Sequence, residues 1–350
     1  MKNSHAIEWG NLLCCQAATR REFLTGLGAL GAAAVLPHAR SFAQTGAAGS
    51  TRPFRIDVHH HFVPPTFITE IVARDMGNPV LRKWTPQVSL DLMDKGGVAT
   101  AMVSITRPGI WFGDRAATRK LARECNEYGA RMVADHPGRF GLFAALPLPD
   151  VDASLREIEY ALDTLKADGM GMMSSYDDKY LGDPAFAPVM DELNRRKAIV
   201  YEHPIREDRS NPLNSIELGT DTTRTVASLL HTATVVRCPD IRFILAHGGG
   251  TVPYVTARMP SQRLPKGVIY ELQRFYYDTA QAFNPYLVPS FKALVPVPHI
   301  LFGTDAPLGI GQAEAVAKGL RDNGGFTASE LRAIERENAL ALLPRLKGSA

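Results

Sequence analysis

"RIDVHHHFVPP", residues 55–65, sets three of the chain's ten histidines side by side behind Ile56 and Val58. Residues 55–62 have strand character, and successive side chains of a strand point to opposite faces. His59 and His61 therefore share one side and His60 takes the other. Two imidazoles at i and i+2 can grip one cation, while the middle one is expected to pack against its surroundings with a hydrogen-bond partner.

Seven more β-rich runs follow: "TAMVSIT" (100–106), "RFGLFAALP" (139–147), "GMGMMSS" (169–175), "AIVYEHP" (198–204), "RFILAHGGG" (242–250), "FYYDTA" (275–280) and "HILFGTDAP" (299–307). Segments of helical period separate them. Residues 115–135 carry apolar side chains at helical spacing, Asp150 is a good N-cap for the segment up to Ala167, and Thr327-Ala328-Ser329-Glu330 opens the last helix. Eight strands with eight crossovers, over about 250 residues, have the rhythm of a (β/α)₈ TIM barrel with parallel strands buried on both faces. A doubly wound open sheet is the rival, but no glycine-rich phosphate-binding pattern follows the first strand. One barrel domain is expected over 55–345, after a short linker at 44–54.

With 45% hydrophobic and 21% charged residues among 350, the chain has the make-up of one large globular domain. Its net charge of +3 and the lack of a lysine and arginine block argue against a nucleic-acid partner and for a small molecule. Residues 1–43 read separately. Arg20 and Arg21 precede Phe23, Leu24 and a weakly apolar run to Leu36, and Ser41-Phe42-Ala43 offers small residues at a cleavage spacing. This resembles a twin-arginine signal, which implies the Tat export machinery and a periplasmic destination. The apolar part is shorter than the ~20 residues that span a bilayer. Removing it takes four basic and two acidic residues from totals of 39 and 36, so 35 stand against 34. Cys125 and Cys238 remain, too few and too far apart for a disulfide framework or a cysteine-based zinc site. Two unpaired core thiols, each in a helical stretch, are expected.

In a barrel, reactive groups gather at the C-terminal ends of the strands. His59 and His61 end strand one, His203 strand five, His247 strand six and Asp305 strand eight. Three imidazoles and one carboxylate make a metal shell suited to Zn²⁺ or Mn²⁺, with one position left for water or substrate. His247, followed by three glycines, reads as the acid/base group, because an imidazole titrates near neutral pH.

The elements "DVHHHF", "HPGRF" (136–140), "YLGDPAFAPVMDELNRR" (180–196), "YEHP", "LAHGGG" and "FGTDAP" occur in an order and spacing that resemble the amidohydrolase superfamily, and within it the aminocarboxymuconate-semialdehyde decarboxylase group. That resemblance implies metal ligands at His59, His61, His203 and Asp305, with His247 catalytic and a homodimer or larger assembly. Two-metal members bridge their ions with a carboxylated lysine at the end of strand four. Here Ser174 and Ser175 stand near that place and Lys179 lies beyond it, so one divalent ion, Zn²⁺ before Mn²⁺, is expected. Keeping both histidines of the first motif leans toward the subset that resembles aminocarboxymuconate-semialdehyde and 6-methylsalicylate decarboxylases.

The activity so implied is metal-dependent decarboxylation of a small aromatic or muconate-like carboxylate, with His247 or Asp305 delivering the proton. The same shell could direct water at a lactone, amide or carbon-carbon bond, so a hydrolase is the alternative; a non-catalytic binder that keeps the shell for stability is a third. For the pocket, Phe62, Arg107, Trp111, Phe112, Tyr176, Phe283 and Asn284 sit on strand-end loops. Their aromatic share favours a flat substrate ring, with Arg107 for its anionic group.

Overall fold

The computed structural model of the protein describes residues 53–205, 214–309 and 312–348. The twin-arginine segment and most of the 44–54 linker lie outside the described residues. Eight parallel strands run β1 (Arg55–Phe62), β2 (Val98–Ile105), β3 (Phe140–Ala145), β4 (Gly169–Met173), β5 (Ile199–His203), β6 (Arg242–Leu245), β7 (Tyr276–Asp278) and β8 (Ile300–Leu301), paired in that order. The amide of Val58 donates to the Phe302 carbonyl at 2.9 Å and that of His61 to the Ala306 carbonyl at 2.7 Å, so the last strand returns to the first and the sheet closes into the expected barrel. Among the described residues no helix is long and apolar enough to cross a membrane.

Helices cover the outside. They include α1 (Pro65–Ala73), α2 (Pro86–Lys95), α3 (Arg115–Asp135), α4 (Val151–Glu159), α5 (Ala187–Arg195), α6 (Asn214–His231), α7 (Gly267–Leu272), α8 (Val288–Leu294) and α9 (Gln312–Asn323). The sequence reading of α3 has the observed bounds: Asp114 accepts from the Ala117 amide, and Leu121, Ala122, Cys125 and Met132 form the buried stripe. Asp150 caps α4 through the Ala153 amide, but the α-helix ends at Glu159 and a π-turn completes the segment. Thr327 and Glu330 form the reciprocal capping box their spacing announces.

Two apolar cores result. Ile56, Val58, Met102, Phe143, Tyr201 and Ile244 fill the barrel's interior, sealed by Leu342, Leu343 and Leu346 of the C-terminal segment. A larger core joins the outer strand faces to the helices. Each fully buried large side chain in either contributes about 1.5–3 kcal/mol over its exposed state. Cys125 and Cys238 are buried free thiols, as expected, although Cys238 lies just past the helical turn Thr234–Arg237 instead of inside a helix.

Several runs end sooner as strands than their apolar stretches suggest. β4 stops at Met173 instead of reaching Ser175, β6 stops at Leu245, β7 covers only Tyr276–Asp278, and β8 pairs over two residues. Beyond these points the chain bends, and the bends after β6 and β8 carry His247 and Asp305.

Candidate metal centre and active site

β1 does not alternate simply. Ile56 and Val58 both face the inner core, yet His60 and Phe62 face outward, which requires one extra residue between them. The pairing to β2 supplies it: Asp57 lies opposite Ala101 and His60 opposite Val103, so three residues of one strand match two of the other. This bulge reverses the parity and turns His59 and His61 inward above their own apolar neighbours. His60 takes the expected structural place, its ring between the Asp57 carboxylate at 3.1 Å and the Ser89 hydroxyl at 2.9 Å.

His59, His61, His203 and Asp305 are all buried, and one potential ligand atom of each lies within 4.8 Å of the others. The outer nitrogen of each imidazole faces an acceptor. His59 Nδ1 is 2.7 Å from Asp278 Oδ2, His61 Nδ1 is 3.4 Å from the Ser104 carbonyl, and His203 Nδ1 is 2.8 Å from the Pro204 carbonyl. A proton on each Nδ1 satisfies those acceptors and leaves the Nε2 lone pairs aimed at one another. The Nε2 atoms of His59 and His61 stand 3.2 Å apart, Asp305 Oδ1 lies 3.4 Å and 3.2 Å from them, and His203 Nε2 has no partner among the described residues. Bare lone pairs at such separations repel unless a cation sits between them, so these residues fit a divalent ion.

The protonation pattern agrees. Burial opposes a charge on His59, but the carboxylates of Asp278 and Asp305 outweigh it and push its pKa up to about 10. Burial resists ionisation of Asp305, yet bonds from His59 and His61 hold its carboxyl well below the usual range. In the absence of an ion, a proton supplies the positive charge the acidic groups demand.

His247 follows β6 in the left-handed region, φ 54° and ψ 42°, where its amide donates to Asp278 Oδ1 at 3.0 Å. Its ring centroid lies 4.8 Å from that of His59, and its Nδ1 is buried without a partner among the described residues. Burial first, then the neighbouring His59 charge, lowers its pKa to about 4. Gly250 allows this bend: a Cβ there would stand 1.9 Å from the Gly219 carbonyl oxygen. Asp305 is also left-handed, at φ 63°, and its Oδ2 accepts from Gln281 at 3.2 Å.

Asp278 was not singled out by the sequence reading. It binds the ring of His59, the amides of His247 and Ala280, and the Tyr201 hydroxyl at 3.4 Å. Gly303 gives it room, since a Cβ there would lie 2.9 Å from the Cβ atoms of both Asp278 and His59. The available signal was a lone aspartate at the end of an aromatic strand, "YYD".

The pocket candidates divide. Arg107 lies in the turn after β2 with Nη1 buried and unpartnered among the described residues. Trp111 is half-buried, its indole donating to Asp177 at 2.7 Å across to the loop after β4. Phe283 lies on the loop after β7, half-buried against α9, where a Cβ at Gly319 would lie 2.7 Å from its ring, and its carbonyl accepts from Asn323. Phe62 departs from its expected place, facing Trp84 in the outer core at 6.4 Å between ring centroids, because it shares the outward parity of His60. Ser174, at the place a bridging lysine would take, bonds Asp221 on α6.

Known proteins resemble this chain in sequence and fold. A family profile described as Amidohydrolase matches residues 56–345. Decarboxylase yanB of Aspergillus niger is 36% identical over 327 residues, covering 84% of this chain and 88% of its own. The 6-methylsalicylic acid decarboxylase acuB of Aspergillus aculeatus is 36% identical over 325 residues, covering 84% and 97%. The crystal structure of dihydroxybenzoic acid decarboxylase from Polaromonas sp. JS666, with bound manganese and the inhibitor 2-nitroresorcinol, shares the fold. Its TM-score is 0.72 at 21% identity, over 83% of this chain and 97% of that one.

Proposed function

This chain belongs to the amidohydrolase family, and from that membership we propose that it is a metal-dependent decarboxylase of small aromatic carboxylates, with ortho-hydroxybenzoates such as 6-methylsalicylate as substrates. The observation that carries the reading is the convergence of three imidazole nitrogens and one carboxylate oxygen to within 4.8 Å of one another. His59, His61, His203 and Asp305 would hold one divalent ion, zinc first and manganese as the alternative, since three nitrogens and a hard oxygen suit both. When bound, such an ion supplies Lewis acidity that polarises the substrate and tolerates the charge developed during bond cleavage.

The chain's own residues do the rest. As CO₂ leaves, the electron pair of the broken carbon-carbon bond stays on the ring carbon, which must gain a proton. We assign its delivery to His247 or Asp305, which would first take the proton from solvent or from the substrate's hydroxyl because neither holds a spare one near neutral pH, with Asp278 fixing His59 through its ring and His247 through its amide. The buried guanidinium nitrogen of Arg107 meets the substrate's anionic group, and Trp111 stands at the rim. Phe283, turned onto α9, has no part in this reading.

The test is CO₂ release from a panel of ortho-hydroxybenzoates by metal-loaded enzyme, stopped by a chelator. Acid release from lactones or amides without CO₂ would point to a hydrolase instead, and a loaded protein inert toward the whole panel would overturn the reading. Elemental analysis of the purified protein decides the metal. We infer also that residues 1–43 form a cleaved twin-arginine signal, that 55–345 is one catalytic domain in the periplasm, and that the mature protein is a homodimer. Changing Arg20 and Arg21 together to Lys should trap the protein in the cytoplasm, and light scattering should return twice the mass of the mature chain.

A further inference from the structure

Next to the assigned groups, the turn after β2 holds a second buried polar atom without a partner among the described residues, Oγ1 of Thr106. Thr106 is fully buried. Its direction follows from the pleat of β2: Met102 lies in the inner core, Ile105 in the outer one, and the Ser104 hydroxyl is 3.5 Å from His61 Nδ1. Thr106 is the next inward position, about 7 Å further along the strand toward the mouth. There the backbone turns, Gly109 donating its amide to the Thr106 carbonyl at 3.0 Å, which brings Arg107 with its own orphaned Nη1 directly after the threonine. The opposite side of this turn is apolar: a Cβ at Gly109 would lie 3.2 Å from Met173 and 3.3 Å from Ile205.

We propose that Thr106 determines specificity, its hydroxyl donating to the carboxylate of the substrate beside the Arg107 guanidinium. The inference rests on the reading of the protein as an aromatic-carboxylate enzyme. A hydroxyl donor and one guanidinium nitrogen, adjacent in the chain and both without an acceptor among the described residues, are matched by an anion with two oxygens. Met173 and Ile205 suit the face of a ring and cannot satisfy either donor. A carboxylate supplies both acceptors at once, whereas a single phenolic oxygen supplies one.

The experiment compares metal-loaded wild type with Thr106→Val and Thr106→Ser, measuring by calorimetry the binding of 2,6-dihydroxybenzoate and of resorcinol, which lacks the carboxylate. Thr106→Val should weaken the carboxylate ligand by about tenfold or more and leave resorcinol within about twofold, the loss expected for one hydrogen bond to a charged group. Thr106→Ser, which restores the hydroxyl, should bind both as wild type does. Equal weakening of both ligands by the valine, or no weakening of either, overturns the proposal. Turnover is read separately. A wild type that decarboxylates nothing yet binds the carboxylate in a valine-sensitive way sinks the decarboxylase reading and keeps the carboxylate contact. A wild type that turns over while the valine fails to discriminate does the reverse.

Discussion

Asp278 shows how one carboxylate organises a site it does not itself ligate. One oxygen takes the His59 ring proton and the other takes the amides of His247 and Ala280. Replacing it by Asn keeps the shape but removes the charge that raises the basicity of His59. We predict that Asp278→Asn lowers metal affinity about 10- to 100-fold while the protein still folds, as measured by competition with a chromogenic chelator. This residue was hidden in the sequence because its partners lie 219 and 31 positions away. His59, His61, His203, His247 and Asp305 were legible because a polar residue ending an apolar strand is conspicuous. Phe62 misled for the converse reason: an aromatic residue near a strand end is equally at home in packing, and only its direction tells the two apart.

At the scale of elements, local chemistry and tertiary demand separate cleanly. The cap on α4 is local. Asp150 accepts from the Ala153 amide and pairs with Arg119, and the amide bond first, then the guanidinium, hold its carboxyl below the ordinary range against the effect of burial. Its folded pKa is depressed, so the charged contribution is fully present above the unfolded value near 3.8 and is lost as pH falls through the folded pKa. Asp150→Ala should cost about 1 kcal/mol at neutral pH in denaturant titrations, and Asp150→Asn, which keeps the capping acceptor, distinctly less. The difference between wild type and Asp150→Asn should shrink in acid, as the wild-type carboxyl takes up its proton. The bulge in β1 belongs to the other category. Nothing within "RIDVHHHF" distinguishes a regular strand from one that gains a residue at Val58-His59, and plain alternation extended from Ile56 and Val58 would have put His60 inside.

For the molecule as a whole, the mouth of the barrel concentrates like groups that destabilise one another without a cation. Neighbouring rings among the four histidines on β1, β5 and the turn after β6 stand 4.7 to 5.8 Å apart between centroids. Burial lowers the pKa of both His61 and His203, so neither ring accepts a proton to relieve the crowding. A bound ion relieves it and binds only the folded state. Stripping the metal should therefore lower the unfolding temperature, and restoring it at 100 times its dissociation constant should return about 2.7 kcal/mol, followed by scanning fluorimetry across a metal titration. An unfolding temperature indifferent to metal would count against the ion site.

The sequence alone determined the barrel, because strand and helix periods and caps are local properties that each segment carries with it. It also determined which five polar side chains crowd the mouth, because parallel strands bring their C-terminal ends to one rim. Only the tertiary structure decided how those side chains are aimed. The parity-reversing bulge in β1, the left-handed turns at His247 and Asp305 and the bridging by Asp278 are each imposed by a neighbouring strand at a separation the local chain does not record.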